Sequence, residues 1–327
     1  MNNKILHLSF HNGCHNDLTY IANKLNFKLS FLAFDDYTKG KYNIGHQRAE
    51  KYWHKNKEYF ETFDIIITSD TAPISRVFLQ NNWKKKLIIW INNRFDYCDE
   101  ATNDCNFPDS EYYDLFKKAT TMDNVTIIGY TPFENYYCKV FRNIDIGNNV
   151  IKPIGKVSSV YASNSSIDIE DKSLTFFVGP YHNDNLMMNL PEKLRSLGLK
   201  IYNGRFNGPN DLANFKGVIH IPYAWSNYTF FESFHLGIIY FIPAKEFLFE
   251  LKKDKDFFWS PPFREQLIEL SEWYNPEYKN LLVYFYSWED LLTKINGLNY
   301  KKKKRNLINF GKKHKEKVLN QWSILLQ

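Results

Sequence analysis

Apolar residues fall into short continuous runs along the first half of the chain: KILHLSF at Lys4–Phe10, FKLSFLAF at Phe27–Phe34, DIIITSD at Asp64–Asp70, KLIIWIN at Lys86–Asn92 and VTIIGY at Val125–Tyr130. Runs of this length, rich in β-branched residues and bounded by polar turns, predict strands buried on both faces. Between them the spacing becomes helical over Leu18–Leu25, Gln47–Phe60, Ile74–Gln80, Ser110–Lys118 with Ser110 as its cap, and Pro132–Val140. HNGCHND after the first run reads as a polar loop, and Asn149–Pro153 as a last strand. Strands alternating with helices predict a parallel sheet covered on both faces, a Rossmann-like domain.

The Ser-rich stretch Gly155–Asp171 reads as a linker, after which the rhythm restarts. Leu174–Val178 is a strand ending in Gly179-Pro180, Leu186–Leu197 a helix stopped by Gly198, Leu199–Tyr202 a strand ending in Asn203-Gly204, and Asp211–Phe215 a short helix. Val218–Pro243 then gives a strand, a polar turn over Pro222–Thr229, a helix carrying Glu232, Gly237 and a second apolar run. Phe263–Trp273 and Ser287–Ile295 read as helices. In the last segment Leu307, Phe310, His314, Val318, Trp322 and Leu325 form one helical stripe. The expected class is α/β, with domains at 1–155 and 172–300 and a terminal helix at 301–327. Two such halves place a cleft between the carboxyl ends of their sheets, where α/β folds bind ligands.

Composition narrows the function classes. With 327 residues, 44% hydrophobic and 24% charged, the chain is globular rather than disordered. Cys14, Cys98, Cys105 and Cys138 have neither a disulfide-framework density nor zinc-module spacing, which suits a reducing, cytoplasmic setting. No run is long enough to span a membrane, and MNNKILHLSF lacks the form of a signal peptide. The net charge of +6 is concentrated toward Lys301–Lys317, a run that leaves room for peripheral contact with an anionic membrane. Nucleic acid is not expected, because a charge run of this kind is commonly a solvated helix face. Asp35-Asp36 stands without partners, and no Walker lysine loop or full dinucleotide fingerprint occurs. No metal or cofactor is therefore expected.

The strand, polar turn and helix of Val218–Pro243 form a natural anion cradle, since first-turn N–H groups lack partners and the helix dipole favours negative charge. PYAWSNYTFFESFHLG (Pro222–Gly237) followed by GIIYFIP resembles the donor-binding segment of GT-B glycosyltransferases, as do the twofold αβ rhythm and a terminal helix with Trp322. The resemblance implies two Rossmann-like domains facing across a cleft, with the last helix crossing back to the first. It implies transfer of a sugar from a nucleotide-diphosphate donor, uridine or guanosine, to a hydroxyl acceptor on a glycan, lipid or protein.

By that resemblance Glu232 would accept hydrogen bonds from donor ribose hydroxyls, and Ser226, Asn227, Tyr228 and Thr229 would serve the diphosphate. Gly179 and Gly204 would let a ligand approach the backbone, Arg205 would offset phosphate charge, and Tyr181 or Tyr202 would stack on the base. Many retaining members carry a second Glu eight positions earlier, where this chain has Ala224, so retention and inversion both stay open. An inverting enzyme needs a base at a strand's carboxyl end in the first domain; Asp70 and His11 are the candidates, with His15 and Asp96 behind them. Glu134 reads as a capping residue. The alternative function is a non-catalytic sugar- or nucleotide-binding protein on the same fold.

Overall fold

A computed structural model describes residues 3–32, 44–96, 110–155, 172–182, 188–206, 208–254 and 265–327. Asp35, Asp36, Cys98, Cys105 and linker positions 156–171 lie outside the described residues. The chain divides into two compact units, Met1–Pro153 with Val318–Gln327, and Ile154–Lys317.

The first unit holds strands β1 (Lys4–Leu8), β2 (Lys28–Leu32), β3 (Ile65–Thr71), β4 (Lys86–Arg94) and β5 (Val125–Gly129), all parallel, in the order β2-β1-β3-β4-β5. Every residue of β3 is buried, as its β-branched run requires of a central strand. Helices α1 (Asn12–Leu25), α2 (His46–Glu61), α3 (Arg76–Gln80), α4 (Ser110–Ala119) and α5 (Pro132–Arg142) make the crossovers.

Several expectations are corrected here. HNGCHND is not a loop: α1 begins at Asn12, and Cys14, Asp17, Leu18, Ile21 and Ala22 form its buried stripe. A buried Asp on that stripe hid the periodicity. A 3-10 turn over Ala72–Ser75 precedes α3. Asn149–Pro153 contributes only an isolated bridge, Gly129 to Val150. Ser110 is the first residue of its helix rather than a cap outside it.

The second unit repeats the winding with β6 (Phe176–Phe177), β7 (Ile201–Tyr202), β8 (Gly217–Ile219), β9 (Tyr240–Pro243) and β10 (Val283–Phe285), ordered β10-β9-β8-β6-β7. Its helices are α6 (Leu190–Ser196), α7 (Pro209–Leu212), α8 (Tyr228–Leu236), α9 (Lys245–Asp254) and α10 (Trp288–Gly297). β10 and α9 were not foreseen. In place of the expected helix over Phe263–Trp273 there is a 3-10 helix at Glu265–Leu270.

The last helix, α11 (Tyr300–Leu325), belongs to both units, leaving the second at Lys317 and joining the first at Val318. There Trp322 is fully buried edge-on to Trp90, with ring centroids 5.3 Å apart, and Gln321 Nε2 donates to the Val150 carbonyl. Two doubly wound parallel sheets and a returning terminal helix constitute the GT-B-like plan. Among the described residues no helix is long and apolar enough to cross a membrane.

Candidate functional site

In each sheet the winding reverses between the first strand and the third, at β1/β3 and at β6/β8. Parallel sheets bind ligands beyond the carboxyl ends at such points, because adjacent loops diverge there and leave a crevice.

In the second unit that crevice is a cavity of about 420 Å³, within the range of small-molecule sites. Gly179, Tyr181 and His182 enter it from the loop after β6, Arg205 from the loop after β7, and His220 and Tyr223 from the end of β8. Asn227 and Thr229 bring the start of α8 to its wall. The described lining includes no acidic residue. An exposed arginine together with a helix N-terminus makes the cavity electropositive.

His182 fixes its shape. Its Nδ1–H donates to the Gly179 carbonyl at 3.1 Å, and its Nε2 accepts the Ile221 N–H at 3.1 Å, so one neutral ring ties the β6 loop to the β8 loop. Burial lowers its pKa to about 4, and burial next to His182 pushes His220 well below the usual histidine range. Both rings are therefore uncharged at neutral pH. His220 packs against Trp273 with centroids 4.5 Å apart.

Helix α8 is closed at both ends by its own sequence. Asn227 Oδ1 accepts the Thr229 N–H at 3.1 Å and Gly237 ends the helix with φ +65°. The Thr229 N–H is thus engaged by the cap rather than left for a ligand. The Thr229 side chain also hydrogen-bonds Tyr240, another wall residue.

Of the residues singled out from sequence, Gly179, Tyr181, Arg205, Asn227 and Thr229 line this one cavity. Ser226, Tyr228 and Glu232 lie on the same turn and helix without lining it. Ser226 Oγ is shielded and lacks a hydrogen-bond partner among the described residues. Glu232 sits in the second turn of α8, half-buried, and its charge adds to burial, the main cause, in raising the pKa of Tyr240. Tyr202 lies outside the lining: its ring stacks on Phe215 and its hydroxyl donates to the Arg205 carbonyl. Sequence reasoning missed His182, His220 and Tyr223. The one available signal was a histidine interrupting the apolar run VIHIP.

In the first unit Asp70 is the penultimate residue of β3 with φ +80°, and the register against β4 shifts between it and Thr71. Its N–H donates to Asn92 Oδ1 at 3.1 Å, and the Asn93 side chain hydrogen-bonds its carboxylate. Burial raises the Asp70 pKa to about 7, opposed by the Asn93 contact. A polar cluster surrounds this end of the sheet. His7 Nε2 shares a 2.8 Å hydrogen bond with Ser69 Oγ, and the buried Cys14 thiol hydrogen-bonds Ser69 and Ser9. His15 stacks on Phe31 with centroids 3.8 Å apart.

His11 is exposed at the N-cap position of α1, its N–H held by Ser9 Oγ, and its side chain does not cap the helix. Asp96 is buried in an ion pair with Arg142 and accepts from Tyr113 and Tyr137, which engages both of its oxygens. Glu134 is buried, accepts the Phe95 N–H, and its pKa rises to about 8 by burial. Among the described residues no three His, Cys, Asp or Glu side chains converge as a metal-binding group.

No family model and no curated protein matches the chain. Among solved structures, the Arabidopsis thaliana protein UGT89C1 complexed with UDP-L-rhamnose aligns at 11% identity and a TM-score of 0.48, covering 99% of this chain and 98% of its own. A putative UDP-N-acetylglucosamine 2-epimerase from Listeria monocytogenes aligns at 11% identity and a TM-score of 0.49, over 94% and 91% of the two chains. CalG4, the calicheamicin glycosyltransferase, aligns at 11% identity and a TM-score of 0.40, over 94% of each.

Proposed function

We propose that the protein is a glycosyltransferase whose second unit holds a nucleotide-diphosphate sugar in the cavity at the β6/β8 reversal. The observation that carries this reading is the make-up of that cavity. Five residues picked out from sequence as donor ligands line it, alongside the start of α8, and no carboxylate is in its described lining. A diphosphate finds Arg205 and the helix N-terminus, and the rings of Tyr181 and Tyr223 offer a planar base a stacking surface. Glu232, in the second turn of α8 and outside the described lining, is assigned to the ribose hydroxyls on the sequence resemblance, its ionised carboxylate being acceptor-only.

In this reading the first unit recognises the acceptor, and Asp70 is its base. The acceptor oxygen attacks the anomeric carbon, the bond to the diphosphate breaks, and the acceptor proton passes to the Asp70 carboxylate. A pKa of about 7 suits that exchange near neutral pH. Charge that develops on the departing diphosphate is met by groups already in place, which lowers the barrier without reorganisation. His11, exposed and two residues from Ser9, is the second candidate for the proton. No metal takes part in this scheme.

The test is a thermal-shift and calorimetric screen against uridine and guanosine diphosphates, since a ligand specific for the folded state raises the melting temperature. One of them should bind, and Glu232→Ala should weaken it while preserving the fold. Binding by neither would remove the cavity from the scheme. Binding without turnover across a panel of nucleotide sugars and hydroxyl acceptors would favour the non-catalytic alternative.

A further inference from the structure

A second cavity, of about 340 Å³, opens beyond the carboxyl ends of β9 and β10, away from the β6/β8 reversal and sharing no described lining residue with the first. Its chemistry is different. Three tyrosines line it, Tyr274, Tyr284 and Tyr286. Two of them are fixed by their hydroxyls: Tyr274 donates to the Pro243 carbonyl at 2.9 Å and Tyr284 to the Trp273 carbonyl at 2.7 Å. Their ring planes are set before any ligand arrives, with centroids 6.0 Å apart. Tyr286 follows directly after β10 and is 63% exposed, a large aromatic face presented to solvent.

Among the described lining residues the charges balance: Lys245 and Lys279 stand against Glu246 and Glu269, two of each sign. A phosphate or nucleotide would meet two carboxylates here, so the site does not select anions. Lys245 and Glu269 are already paired at 3.3 Å, and a purely apolar ligand would still strand Glu246 and Lys279. What fits both the rings and the balanced donors and acceptors is a neutral polyhydroxylated ligand, whose C–H faces lie on aromatic rings while its hydroxyls bridge charged groups.

The geometry points to a binding site for a neutral saccharide in this cavity, separate from the nucleotide cavity and occupied independently of it. It does not require that the protein transfer sugar, since a glycan-anchoring site would serve an enzyme or a lectin-like protein equally.

The experiment titrates the full chain with maltotriose, cellotriose, chitotriose and mannotriose, read by saturation-transfer NMR and tryptophan fluorescence, with and without uridine diphosphate. At least one trisaccharide should bind, with an affinity unaltered by the nucleotide. Tyr286→Ala should weaken it about ten-fold, the loss of one stacking contact. Tyr286→Trp should retain it, and neither change should move the melting temperature or nucleotide affinity. Failure of all four sugars to bind overturns the proposal, as does binding that survives Tyr286→Ala or competes with uridine diphosphate. Because nucleotide affinity is measured on the same protein, failure here is distinct from failure of the donor assignment.

Discussion

The Asp70 N–H donates to Asn92 Oδ1 across 3.1 Å, and this bond from β4 closes the left-handed kink one residue before the end of β3. A non-glycine residue at φ +80° persists only where its surroundings hold it. Asn92→Ala should therefore cost about 1–2 kcal/mol in urea unfolding. Under the proposed scheme it should also lower transfer more than donor affinity, because the kink aims the carboxylate.

Asp70→Asn tests the base and its energetics together. The folded pKa of about 7 lies above the unfolded carboxylate value, so between roughly pH 4 and 7 the native state keeps a proton that the unfolded chain releases. Stability contributed by the protonated group is complete below about pH 4 and lost as pH rises through 7. The Asn variant, which tolerates positive φ, should thus be the more stable protein at pH 8, by up to about 4 kcal/mol. Transfer should fall by about a hundred-fold or more, and in the parent should rise with pH through about 7. Equal stability at pH 8 would show that Asp70 ionises freely in the native state.

His182 carries the opposite sign. Its pKa of about 4 is below the unfolded value, so the stability it confers is present above about pH 6.5 and lost as pH falls toward 4. Protonated Nε2 cannot accept the Ile221 N–H and is left to donate to the Ile221 carbonyl at 3.3 Å, so the link that shapes the first cavity should rearrange in acid. Nucleotide affinity should drop between pH 6 and 4, and replacement of His182 by Phe should flatten that drop while lowering affinity at pH 7.

Arg205→Ala should raise the dissociation constant for the cognate nucleoside diphosphate about ten-fold, the usual worth of a hydrogen-bonded charge pair, and weaken its salt dependence. Its melting temperature should not change, because the side chain is exposed. Unaltered affinity would place the diphosphate elsewhere.

Gly155 lies against the backbone of α8 with φ +72°, where an added Cβ would collide with the Phe231 carbonyl carbon and the Glu232 nitrogen. Beside it His235 Nε2 hydrogen-bonds the Ile154 carbonyl at 2.8 Å. Gly155→Ala should destabilise the chain by about 2–4 kcal/mol in denaturant unfolding, and should disturb nucleotide binding through Glu232.

The alternation of apolar runs and helical spacings made both doubly wound sheets legible, because a parallel sheet must bury both faces of every strand. α8 was legible too, since Asn227 and Gly237 write its ends into the chain. β10 escaped notice as a three-residue edge strand inside an apolar stretch without Gly or Pro to bound it. Glu232 could be picked from its helix, but whether it reaches a ligand depends on what packs around Tyr240.

The sequence by itself determined the elements, their order and the segment that opens the first cavity, all properties of neighbouring residues. Tertiary structure alone decided that His182 binds Ile221 across 39 positions and that Asp70 meets Asn92 across 22. It also set their pKa values. Burial and long-range hydrogen bonds are created only when distant strands align, and no local pattern encodes how much water each group loses.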